Sequence, residues 1–137
     1  MIANLLAYNY QQNPDFTEAL QQTLNELQGT WGLVILNVDY LNTMFCVKHG
    51  SPLLIGENDD YVMATSEQSG FHGMVNNYFV LESNDICKIR IKDDRISIRT
   101  EKKYKTKDIL QNNFKLTPDP FPHWTISEIH EQIESVK

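Results

Sequence analysis

Ile86-Cys87-Lys88-Ile89-Arg90-Ile91-Lys92-Asp93-Asp94-Arg95-Ile96-Ser97-Ile98-Arg99-Thr100 alternates apolar and polar residues on both sides of a short polar break. Successive side chains of a strand point to opposite faces. Cys87, Ile89, Ile91, Ile96 and Ile98 therefore share one face, and Lys88, Arg90, Arg95, Ser97 and Arg99 the other. The pattern predicts an antiparallel hairpin over 86–91 and 95–100, closed by Lys92-Asp93-Asp94, with one face on a core and one in water.

Upstream, Trp31 to Val38 is a nearly continuous apolar run, which predicts a strand buried on both faces. Thr43 to His49 is a second strand, reached through Asp39-Tyr40-Leu41-Asn42. Gly50-Ser51-Pro52 is a tight turn. Short strands follow at 53–55 and 61–65 around the acidic turn 56–60. Ser66 is placed to cap a helical segment running to about Phe71, and 75–81 returns to strand.

Two helices precede the strands. Ile2, Leu5, Leu6 and Asn9 share a face over 2–10. Phe16, Leu20, Leu24 and Leu27 line a second helix beside Ala19 and Thr23. Asn13 with Pro14 is the expected cap of that helix and Gly29 its stop. Residues 101–122 read as a charged, then proline-containing connector. Trp124 to Val136 reads as a terminal helix, with Thr125 or Ser127 near its start. Helices, a series of antiparallel strands, a connector and a helix amount to an α+β fold.

The 137 residues suit one domain with its own core. Hydrophobic residues make up 41%, outside the disordered range. Cys46 and Cys87 sit in apolar runs without metal-ligand or CxxC spacing, so two buried thiols in a reducing compartment are expected. No apolar run is long enough to span a bilayer, and the start lacks a basic n-region and a cleavage site, so a cytoplasmic location is expected. Net charge is −6, yet nine of the twelve Lys and Arg lie between Lys88 and Lys107.

Five strings resemble the glutaminase domain of glutamine–fructose-6-phosphate aminotransferases. Gly29-Thr30-Trp31-Gly32-Leu33-Val34-Ile35 is similar to the start of one of their sheet strands. His49-Gly50-Ser51-Pro52-Leu53-Leu54-Ile55-Gly56 resembles their GSPL-x-IG turn, the most specific of the five. Tyr61-Val62-Met63-Ala64-Thr65-Ser66-Glu67 resembles YFVASD, with Glu67 for Asp. Val80-Leu81-Glu82-Ser83-Asn84-Asp85-Ile86 resembles FLEDGD. Ser127-Glu128-Ile129-His130-Glu131-Gln132 resembles KEIHEQPES, with Ile133 where the family has proline. The strings occur in family order along essentially the whole chain. Amidophosphoribosyltransferases, which share this kind of domain, tend to carry a GIRPL turn and lack the EIHEQ tail.

The resemblance implies part of an N-terminal-nucleophile hydrolase, an αββα sandwich. Residues 1–100 would be the later portion of the class II glutamine amidotransferase domain, and 101–137 would lead toward the sugar-isomerising half. Glutamine and fructose 6-phosphate would be the parent's substrates, glucosamine 6-phosphate its product and a homo-oligomer its state. No cofactor, nucleic acid or membrane is implied. The family nucleophile is a cysteine at the first position of the mature chain, whose α-amine serves as base. Here Met1-Ile2 opens the sequence and both cysteines are internal. The RWATHG and GNG strings do not occur, and an SDTE string belongs before Met1. No catalytic, substrate-binding or metal residue is therefore expected, and the segment alone is expected to be inactive, marginally stable or oligomeric. The apolar face of Leu33 and Ile35 is expected to stand open. A catalytically dead, free-standing regulatory remnant of the same fold is the alternative.

Other constellations have plainer readings. Glu128, His130, Glu131 and Glu134 form His-Glu-x-x-Glu rather than a zinc-peptidase motif, and read as a solvated acidic helix. Lys88, Arg90, Lys92, Arg95, Arg99, Lys102, Lys103, Lys105 and Lys107 lack interleaved aromatics for base stacking, and read as a solvated face. Gly50-Ser51-Pro52 has no following lysine and is no phosphate loop. Trp31 and Trp124 read as packing residues, His72 as part of a surface turn.

Overall fold

Asn13-Pro14-Asp15 separates two antiparallel helices, α1 (Ile2–Gln12) and α2 (Phe16–Glu26). Asp15, not Asn13, is the N-cap of α2. Its Oδ1 accepts from the amides of Thr17 and Glu18 at 2.8 and 3.1 Å, while Asn13 Oδ1 accepts from Asp15 N. Pro14 thus lies before the cap rather than at the first helical position. Between the helices, buried Asn9 donates to Thr23 Oγ1 (3.0 Å) and Glu26 Oε1 (3.1 Å), fixing their relative rotation. α2 ends at Glu26, with extended Leu27 as its cap, and Gly29 (φ +92°) turns the chain further on.

The computed structural model describes residues 1–71 and 73–109. Among the described residues eight strands follow the helices: β1 (Trp31–Leu36), β2 (Thr43–His49), β3 (Leu54–Glu57), β4 (Val62–Thr65), β5 (Asn77–Val80), β6 (Ile86–Lys92), β7 (Arg95–Arg99) and β8 (Lys107–Asp108). They form two four-stranded sheets of order β1-β2-β6-β7 and β4-β3-β5-β8, every pairing antiparallel. A 3₁₀ turn over Gln68–Phe71 stands where a short helix is expected. Thr65 Oγ1, rather than Ser66, accepts from the amide of Glu67 ahead of it.

Three apolar clusters stack through these layers. Leu6, Phe16, Leu20 and Leu24 pack on Trp31, Phe45, Val47 and Ile86, so the helices cover one face of the first sheet. Cys46, Cys87 and Ile89, on its other face, meet Leu53, Ile55, Phe79 and Leu81 of the second sheet. Phe71 and Val75 cover Leu54 on the far side of the second sheet.

The hairpin has the expected faces, with Lys88 opposite Arg99, Ile89 opposite Ile98 and Arg90 opposite Ser97, but Lys92 pairs with Arg95, so Asp93-Asp94 alone closes it rather than Lys92-Asp93-Asp94. Asp93 and Asp94, at φ 50° and 57°, make the turn whose twist matches paired strands. β1 differs from expectation. It is an edge strand that alternates in exposure, because the second sheet does not extend beneath it. Leu33 and Ile35 pack against the helices, while Val34 and Leu36 stand 49% and 76% exposed. The open apolar face is therefore that of Val34 and Leu36.

Candidate functional site

Cys46 and Cys87 oppose each other across β2 and β6, both wholly buried between the sheets. Burial raises their pKa values from 9.0 to about 11 and about 12 respectively. A thiol held protonated and sealed from solvent is a poor nucleophile.

Lys88, Arg90, Ser97 and Arg99 gather on the solvent side of β6 and β7 around a shallow hollow of about 120 Å³. Lys88 Nζ lies 5.5 and 5.4 Å from the ring centres of Tyr40 and Phe45, a cation–π arrangement that ties it to the core. Lys102 pairs instead with Glu82 at 2.6 Å, an exposed contact.

The chemistry of the Gly50 turn is structural. Gly50 has φ +72°, and a Cβ there would meet Thr30 Cγ2 at 2.5 Å. Its amide donates to Ser83 Oγ at 3.3 Å, Asn84 N donates to Lys48 O at 2.9 Å, and Leu81 N donates to Leu53 O at 2.9 Å. Trp31 stacks near His49, ring centres 5.8 Å apart. Three separated strings, around Thr30, Gly50 and Ser83, thus meet at one end of the sandwich.

Beside them Asp85 is 1% exposed. Its carboxylate accepts from the amides of Glu101 (3.2 Å) and Lys102 (3.3 Å) and from the Tyr104 hydroxyl. Burial, then the bond to Asp85, raises the Tyr104 phenol above its ordinary range. Tyr104 stacks on Phe79 with centres 4.7 Å apart, and its oxygen also accepts from Glu82 N at 3.1 Å. Residues 101–109, read from sequence as the start of a connector, are tied to the body here and through β8. An isolated aspartate just before a strand gives no sequence signal for this role, since its partners are amides sixteen and seventeen residues away.

Among the described residues no three His, Cys, Asp or Glu side chains gather as a metal site, and no helix is long and apolar enough to cross a membrane. Glu128, His130, Glu131, Glu134, Trp124 and His72 lie outside the described residues.

Facing antiparallel sheets with helices on one outer side define an α+β sandwich. No family model matches the chain. A probable glutamine–fructose-6-phosphate aminotransferase of Acanthamoeba polyphaga mimivirus is 30% identical over 89% of this chain and 19% of its own length. The aminotransferase of that name from Methanocaldococcus jannaschii is 27% identical over 90% of the chain and 12% of its own. That of Escherichia coli K12 is 27% identical over 100% and 23%. Across most or all of its length the chain is thus homologous to a segment of glutamine–fructose-6-phosphate aminotransferases. It spans 12 to 23% of the length of these relatives.

Proposed function

We propose that these residues are the later part of the glutaminase half of an isomerising glutamine–fructose-6-phosphate aminotransferase. Residues 1–100 contribute to an αββα N-terminal-nucleophile sandwich in the cytoplasm, and 101–137 lead toward the sugar-isomerising half. The parent takes the amide nitrogen of glutamine and places it on fructose 6-phosphate, giving glucosamine 6-phosphate. The observation that carries this reading is the meeting of Thr30, Gly50 and Ser83. They come from three of the strings that resemble the family, along a chain matched from end to end by the Escherichia coli relative.

The segment supplies scaffold, not reaction. Glutamine hydrolysis in this class needs a thiol with a free α-amine beside it. Cys46 and Cys87 are internal, buried and protonated. A polypeptide of these 137 residues releases no ammonia from glutamine, and turnover by that purified polypeptide would overturn the reading. Exchanging it for the matching segment of the Escherichia coli aminotransferase tests the positive side. A folded chimera retains glucosamine 6-phosphate synthesis; a folded but inactive chimera counts against the assignment.

A further inference from the structure

The chain has two cysteines, far apart in sequence, and the β2–β6 register sets them directly against each other. Each residue of β2 has one direct opposite on β6, and Cys87 occupies the position opposite Cys46. Both thiols are free and turn toward the second sheet, among Leu53, Ile55, Phe79 and Leu81. A charge on Cys46 is one of the causes that raise the Cys87 thiol, so each feels the other.

The kind of pair follows from the ladder. Ile91 N donates to Asn42 O at 2.9 Å, in step with the β2–β6 register. Antiparallel pairs alternate between hydrogen-bonded and non-hydrogen-bonded. Thr43–Arg90 is then a non-hydrogen-bonded pair and Cys46–Cys87 a hydrogen-bonded one. The Cα atoms of such a pair stand ~5.5 Å apart, inside the range of about 4.4–6.8 Å that a disulfide spans. Its side chains are farther apart than those of the other kind. The bond therefore closes under strain and is readily reduced, which suits a reversible staple.

We propose that Cys46 and Cys87 are a redox pair: a peroxide oxidises them to a cross-strand disulfide that ties β2 to β6 at the base of the excursion carrying β3, β4 and β5. Hydrogen peroxide, little larger than water, enters this closed layer through its transient openings. The Cys46 thiolate, of the lower pKa, attacks one peroxide oxygen. An S–O bond forms, the O–O bond breaks, and hydroxide leaves to become water. The Cys87 thiolate then attacks the sulfenic sulfur. The S–S bond forms, the S–O bond breaks, and a second hydroxide leaves to become water. Two thiols and one peroxide yield one disulfide and two waters, the sulfurs giving up the two electrons that the peroxide takes.

Excess hydrogen peroxide added to the reduced 137-residue chain tests it. Thiols counted after denaturation should fall from two to none, the chain should stay single on a non-reducing gel, and dithiothreitol should restore both thiols. Thiolate is the reactant, so the rate should rise about tenfold per unit between about pH 7 and pH 9. Cys87→Ala combined with Ile89→Cys moves the second thiol along the same face to a diagonal ~7–8 Å away. Peroxide should then win the competition for the sulfenic acid, and peptide masses should show sulfinic acid in place of the disulfide. Circular dichroism establishes that this variant is folded; should it not fold, the wild type in urea replaces it with the same expectation. A thiol count that stays at two, sulfinic acid as the main product of the folded wild type, a disulfide between chains, or a displaced pair that closes as completely as the natural one would each overturn the proposal.

Discussion

The two ends of the sandwich are built on opposite principles. At one, Gly50 lies against Thr30 and is bonded to Ser83, while buried Asp85 gathers the amides of Glu101 and Lys102 and the Tyr104 hydroxyl. At the other, Leu36, Val38, Leu41 and Ile91 stand largely in water around a hollow between the sheets. Polar bonds among buried groups demand fixed partners, because an unsatisfied donor is costly. Apolar surface has no such demand and accepts any matching surface. The first end fixes its partners; the second leaves apolar side chains open to water.

Substitutions at the sealed end should cost the most. Asp85→Ala leaves two amides and a phenol without their acceptor and should destabilise by about 2–4 kcal/mol, read from urea unfolding midpoints. Gly50→Ala meets both a left-handed backbone and Thr30 Cγ2, for about 2–3 kcal/mol. Adding Thr30→Ser, which removes that methyl, should return part of the loss; full additivity of the two changes would refute the contact.

Alkali should act on the inter-sheet layer that joins the ends. The Cys46 and Cys87 thiols are raised from 9.0 to about 11 and about 12, and Tyr104 is raised as well. A group whose folded pKa lies above its unfolded one contributes stability that is complete below the unfolded value and lost as pH rises toward the folded one. Unfolding midpoints should hold up to about pH 9 and decline above it, and less so in a Cys46→Ala, Cys87→Ala variant. The smallest effect belongs to the open end: Leu41→Ser, at a 77% exposed position, should change monomer stability by no more than about 0.5 kcal/mol.

Much of this architecture was legible where periodicity is strict. The 86–100 hairpin declared its faces and turn, and the Phe16-Leu20-Leu24 stripe declared the second helix. Periodicity reports how a strand would be buried, not whether its neighbour is present, so the run from Trp31 looked doubly buried although Val34 and Leu36 are uncovered. Proline drew the cap toward Asn13, whereas Asp15 holds the carboxylate within reach of the free amides. β8 is too short to carry a pattern, and it forms because Tyr104 and Asp85 bring its chain alongside β5. The Gly50 turn was readable as a turn, but its contact with Thr30 joins residues that only β1–β2 pairing brings together.

Asp85 also sets how the chain crosses from the first sheet to the second. Because its carboxylate moors residues 101 and 102 and the ring at 104, the chain leaves the last strand of the hairpin in a fixed heading rather than on a loose tether. A rotation of that crossing would have to break a buried carboxylate's bonds.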